Sequence, residues 1–93
     1  GAGLLESYIH NERVGVLLDL RAETDFVARS AVFRELAHNL AMQISAMAPE
    51  NVEELLQQVY IRDEALTVDA LIKQVMAKLG ENIKVERFVR YEI

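Results

Sequence analysis

The sequence predicts an α+β fold: a three-stranded antiparallel sheet with two main helices and a short helix packed on one face. Three observations predict it. Val14, Val16, Leu18 and Leu20 recur at every second position, the period of a strand with one buried face. Phe33, Leu36, Ala37, Leu40, Ala41, Ile44 and Met47 follow the three-four spacing of an amphipathic helix. The order strand, strand, helix, short helix, helix, strand keeps strands and helices in blocks, which suits helices laid on one side of an antiparallel sheet.

Element by element, Leu4-Leu5-Glu6-Ser7-Tyr8-Ile9-His10 alternates roughly, and Asn11-Glu12 offers a turn into the Val14–Leu20 strand, so the pair reads as a hairpin. Gly15 weakens that second strand slightly. Ser30 is placed to cap the long helix that runs to Met47, with Arg34, Glu35, His38, Asn39, Gln43 and Ser45 on its polar face. Pro49 stops that helix, because it has no amide hydrogen and restricts the residue before it. Asn51-Val52-Glu53-Glu54 opens a short helix in capping-box style. Tyr60-Ile61-Arg62-Asp63 reads as extended. Thr67 caps a further helix with Val68, Leu71, Ile72, Val75, Met76 and Leu79 on its buried stripe, and Gly80 suits the left-handed position after its end. Ile83, Val85, Val89 and Tyr91 alternate in a last strand interrupted by Arg87. If the alternations hold, Leu17, Phe88 and either Tyr8 or Leu4 point away from the helices, among Asp19, Lys84, Glu86 and Arg90. Such a half-apolar second face is either ordinary exposed surface or a contact with a second copy.

Ninety-three residues suffice for one small domain, 1–93, and not for two. A hydrophobic fraction of 52% with 27% charged residues is that of a folded chain. With no cysteine there are no disulfides and no thiolate metal sites. Ten basic against 15 acidic residues, a net charge of -5, leave no clustered basic surface for nucleic acid. The uncharged run Leu40–Pro49 is too short to span a bilayer, and no signal peptide opens the chain. A soluble intracellular protein is expected. Gly1-Ala2 in place of an initiator Met reads as a cloning scar or a processed end, so a piece of a longer protein is expected.

Catalytic chemistry finds little support. Neither His10 nor His38 has a histidine or glutamate four residues on, as a helical metal pair would require. Glu35, one turn before His38, reads as a surface partner. Ser7, Ser30 and Ser45 lack a nucleophile elbow, and no glycine-rich phosphate loop occurs. Lys78-Leu79-Gly80-Glu81 reads as a helix end and nothing more. No enzyme, cofactor or metal is therefore expected.

What remains is the junction Glu23-Thr24-Asp25-Phe26-Val27-Ala28-Arg29-Ser30, between strand and long helix. Thr24 can cap a helical turn, Asp25 suits its positive end, and Arg29 can pair back to Asp25. Phe26 precedes Phe33 by seven residues, so one continuous helix would put both in the core. A helix that starts afresh at Ser30 would break that phase and let Phe26 project outward. The residues alone leave both readings open.

Glu23-Thr24-Asp25-Phe26-Val27-Ala28-Arg29 resembles the signature of the elongation factor Ts family. Gly3–His10 resembles that family's opening strand, and Arg13–Leu20 its second. Leu36-Ala37 and Ala41-Met42-Gln43-Ile44 are similar to its following helix. Leu79-Gly80-Glu81-Asn82-Ile83 and Arg87-Phe88-Val89-Arg90-Tyr91-Glu92 are similar to its closing segment. The resemblance implies nucleotide exchange on elongation factor Tu, with Thr24, Asp25, Phe26 and Val27 as the contact. Phe26 would wedge between helices near the partner's nucleotide site while Asp25 disturbs its magnesium. It also implies a noncovalent homodimer through the sheet, with Leu17, Phe88 and Tyr8 as interface candidates. The setting it implies is the bacterial cytoplasm, or an organelle matrix or stroma. Arg21-Ala22 replaces the family's usual Asn-Cys, and Val89 stands where some relatives place a cysteine. The family's amino-terminal helical module is expected to be missing, and its insertion between Met47 and Tyr60 to be cut to a few residues. The competing reading is a structural homodimerisation module without exchange activity in isolation. A small metal-dependent or hydrolytic enzyme is a weaker third.

Overall fold

The computed structural model describes residues 1–93, in the order β1 (Gly3–His10), β2 (Val14–Arg21), α1 (Asp25–Ala28), α2 (Ala31–Met47), α3 (Val52–Gln57), α4 (Val68–Leu79) and β3 (Lys84–Glu92). β2 lies in the middle of a three-stranded sheet of order β1-β2-β3, antiparallel to both neighbours. This is the α+β architecture the sequence predicts. The β1–β2 turn places Asn11 and Glu12 at φ 52° and 60°, and the Arg13 amide donates to the His10 carbonyl at 3.0 Å. Two left-handed central residues give a turn whose twist matches that of the strands.

α2 lies across β1 and β2, and α4 packs on α2 and α3. Val16, Leu18 and Leu20 meet Phe33, Leu36, Leu40 and Ile44 in the core, which Leu55, Val68, Ile72 and Val85 complete. The caps follow from residue type. Ser30, Asn51 and Thr67 each accept from the amide three residues on, and Gly80 closes α4 at φ 73°.

β3 departs from expectation. Its register shifts between Asp19, opposite Arg87, and Leu20, opposite Val85, so Glu86 has no partner and forms a bulge. One extra residue reverses the facing of everything after it. Val85 still faces the core, but Phe88 pairs with Leu18 and Arg90 with Val16, on the helix side. Val89 and Tyr91 are turned to the open side. Arg90 consequently reaches α2, where its Nε and Nη2 donate to the Ser45 carbonyl at 3.2 and 3.0 Å. In a continuing helix that carbonyl would accept from residue 49, which is Pro49 and has no amide hydrogen.

Other expectations are corrected in α2 and beyond it. Gln43 and Ser45 are buried, not solvated. Gln43 donates through Nε2 to the Val59 carbonyl (3.0 Å) and Gln58 Oε1 (3.1 Å), and its Oε1 accepts from the Ile61 amide (2.9 Å). Residues 60–63 are accordingly not extended. They turn back on themselves, with Asp63 N donating to Tyr60 O at 3.2 Å and Tyr60 N to Leu66 O at 2.9 Å. Met47, in the last turn before left-handed Ala48 (φ 46°), is exposed. His38 pairs with Glu6 of β1 at 2.9 Å and not with Glu35.

Candidate functional site

The junction between β2 and α2 folds as a single helical turn with two caps. Thr24 is extended (φ −130°, ψ 153°) and its Oγ1 accepts from the Val27 amide at 3.2 Å. At the other end the Ser30 hydroxyl donates to the Val27 carbonyl at 2.7 Å and accepts from the Phe33 amide at 3.3 Å. Ser30 thus ends α1 and begins α2 with one side chain. Its extended backbone (φ −67°, ψ 151°) interrupts the helical phase. The two aromatics seven residues apart therefore separate: Phe33 is 0% exposed and Phe26 is 86% exposed. Of the readings left open by the residues, the outward one is the structure's.

The turn is fastened beneath by apolar burial. Val27 and Ala28 face the core, which leaves Thr24, Asp25, Phe26 and Arg29 exposed. Val27 differs from the expectation in this respect. At 6% exposed it is an anchor for the turn, and its side chain is not available as contact surface.

A second fastening is polar. Glu81, in the turn between α4 and β3, accepts from the amides of Glu23 and Thr24, both at 3.1 Å to Oε1. Its Oε2 accepts from the Thr24 hydroxyl at 2.7 Å. Glu23 answers by accepting from the Asn82 amide. Sequence reasoning missed this pair; the only signal was an acidic residue directly after the left-handed Gly80, which swings the chain back toward the junction.

The open face of the sheet is the other prominent surface. Leu5, Ile9, Leu17, Val89 and Tyr91 are large, apolar and exposed there. Leu17 lies where it was expected. Tyr8 and Phe88 do not: both are on the helix side, partly buried against the core, and the Tyr8 ring meets His38 of α2 edge-on at 5.9 Å between centroids. The bulge at Glu86 accounts for Phe88. Tyr8 is opposite Val16 and shares its side of the sheet.

Among the apolar residues of the open face, Asp19 is only 5% exposed. Arg21 binds it through Nε (2.6 Å) and Nη2 (3.1 Å), and Arg87 Nε adds a contact at 3.3 Å. The Arg21 guanidinium, more than any other group, holds the Asp19 carboxyl below the usual carboxylate value, with Arg87 helping and burial opposing. Asp19 in turn raises Arg21. No three His, Asp or Glu side chains gather as metal ligands, and no helix is long and apolar enough to cross a membrane.

Residues 23–93 match the family model described as Elongation factor TS. A protein of Nostoc sp. named Elongation factor Ts is 49% identical over 92 residues, covering 98% of this chain and 29% of the relative. The protein of that name from Rippkaea orientalis is 39% identical over 136 residues, covering 96% of this chain and 55% of its own length. A rice protein (Oryza sativa subsp. indica) named Polyprotein of EF-Ts, chloroplastic, is 34% identical over 137 residues, covering 98% of this chain and 12% of its own. The chain thus spans about half the length of the Rippkaea relative and less of the other two. The alignments of 136 and 137 residues exceed the 93 of this chain, so those two relatives carry additional residues inside the matched span.

Proposed function

This chain belongs to the elongation factor Ts family, and from that premise we propose that residues 1–93 are a core domain that promotes GDP release from elongation factor Tu. The observation that carries the reading is the Phe26 ring, 86% exposed on a turn held by two caps and two buried side chains. An aromatic so displayed gains nothing for its own fold and is suited to enter a pocket on a partner. Asp25 beside it brings a carboxylate to the same contact.

On this reading Phe26 wedges between helices near the partner's nucleotide site, and Asp25 perturbs the environment of the magnesium that partners the diphosphate. Weakening that counter-charge loosens GDP. Exchange follows from linkage: a factor that holds the empty partner more tightly than the loaded one lowers nucleotide affinity by the same factor that nucleotide lowers its own. No covalent bond is made or broken, so the activity is not enzymatic in the bond-breaking sense. The bacterial source of one relative and the chloroplastic name of another support a bacterial cytoplasm or a chloroplast as its setting.

The test is release of fluorescent GDP from elongation factor Tu with increasing amounts of the chain. Acceleration by the wild type and its loss in Phe26→Ala support the reading; no acceleration at saturating concentration overturns it. A second reading, a homodimerisation module, is favoured by the apolar open face of the sheet. On it Leu17, with Leu5, Ile9, Val89 and Tyr91, meets the same face of a second copy without a covalent link. Sedimentation as a strict monomer would remove it.

A further inference from the structure

We propose that Glu81 is a positioning residue for the Asp25–Phe26 turn, holding it from a segment 57 and 58 residues further along the chain. The proposal rests on the reading that this turn is the contact with elongation factor Tu.

α1 has four residues, too few to persist on helical hydrogen bonding alone. The Phe26 ring makes no use of its own core, so its direction is set by whatever fixes the backbone of that one turn. Val27 and Ala28 hold its inner side. The outer side, where the chain leaves β2, is held by Glu81. Three donors converge on one carboxylate: the amides of Glu23 and Thr24 and the Thr24 hydroxyl. An ionised carboxylate is acceptor-only, so the donor set matches it, and such charge-assisted bonds are stronger than neutral ones.

The third bond is the informative one. The Thr24 hydroxyl that donates to Glu81 also accepts from the Val27 amide, the capping bond of α1. Donation to Glu81 points the hydroxyl hydrogen away and leaves the oxygen lone pairs for Val27, so clamp and helix cap form one relay. Glu23 returns the grip through the Asn82 amide, which ties the two connections together in both directions. Four hydrogen bonds at an exposed junction, where water could satisfy every group, specify a geometry more than they bury surface. Without the clamp the turn would sample more orientations, and the factor's apparent affinity would fall with the fraction still competent.

The experiment compares wild type, Phe26→Ala, Glu81→Ala and the isosteric Glu81→Gln in GDP release over a range of factor concentration. Amide hydrogen exchange is measured on the same four proteins. For Glu81→Ala the half-saturating concentration should rise about tenfold while the maximal rate is kept. Protection should fall at Thr24, Val27 and Ala28 but not at Leu18 and Leu20, which separates a loosened turn from a destabilised domain. Glu81→Gln keeps one acceptor oxygen and should fall between wild type and Glu81→Ala; it also serves if the alanine variant folds poorly. If the wild type and Phe26→Ala behave as the functional reading requires while Glu81→Ala matches wild type, this inference is overturned alone. A uniform loss of protection across the sheet overturns it as well. If the wild type is inert, or Phe26→Ala is as active as wild type, the functional reading falls and this inference with it.

Discussion

The signature turn and the open face of the sheet both expose apolar side chains, and they do so by opposite means. At the turn a single ring stands out of a backbone fixed by Thr24, Ser30 and Glu81. On the sheet five apolar side chains are spread over three strands, with Asp19 and its two arginines toward one end. The first arrangement suits a point contact with a pocket. The second is broad, suited to a matching surface of similar extent. Exposed hydrophobicity alone therefore says little; the rigidity beneath it and the area around it say what kind of partner it fits.

The largest effect expected comes from the two phenylalanines seven residues apart. Phe33→Ala should cost about 3–5 kcal/mol, as truncation of a fully buried aromatic does. Phe26→Ala should stay within about 0.5 kcal/mol, as a surface change does. Urea unfolding of both variants measures this. Equal losses would mean that Phe26 is packed, and the point contact would cease to exist.

Next is Leu17→Lys on the open face. A dimer built on that face would bury two unpaired ammonium groups, so its dissociation constant should rise about tenfold or more, read by sedimentation at graded concentration. Unfolding of the monomer should be unaffected, because the Leu17 side chain is exposed within one chain. An unchanged association constant would move the interface elsewhere and leave the sheet face as plain surface.

Smaller is Thr24→Val, which removes both the cap of α1 and the donor to Glu81. A lost N-cap costs about 1 kcal/mol. Thr24→Ser, which keeps the hydroxyl, should restore it. If serine fails where threonine succeeds, the methyl group and not the relay holds the turn.

The two regions also differ in how legible they were in the sequence. The core of the sheet was readable from the alternation of Val16, Leu18 and Leu20, and the caps at Ser30, Asn51, Thr67 and Gly80 from residue type, because each rests on local geometry. A helix starting afresh at Ser30 left an outward Phe26 open, and the family resemblance gives the reason to prefer it. The open face is misread at β1, where the rough alternation puts Tyr8 on the wrong side, and at β3, since a bulge is one unpaired residue and Glu86 carries no chemical mark of it. Gln43 looked solvated by polarity alone; its burial depends on the Val59 and Ile61 backbone arriving from another segment. Glu81 reads as no more than a helix end for the same reason, as its partners are distant in sequence.

The last prediction concerns acid. Asp19 is held by Arg21 and Arg87 in the folded chain, so its carboxyl loses its proton more readily there than in the unfolded chain. Between the two titrations the unfolded state binds more protons, and stability rises with pH. The contribution is complete above the unfolded carboxylate value, about 3.9, and is lost as pH falls through the lower folded value. In Asp19→Asn that dependence vanishes. The difference in unfolding free energy between wild type and variant should be flat above about pH 5 and narrow below about pH 4, read from urea titrations at a series of pH values. Parallel curves throughout would show that the arginines do not hold the carboxylate, and that end of the open face would then be a looser surface than its geometry implies. A narrowing difference would make the open face resemble the signature turn in one respect: each holds a carboxylate, Asp19 or Glu81, on converging donors.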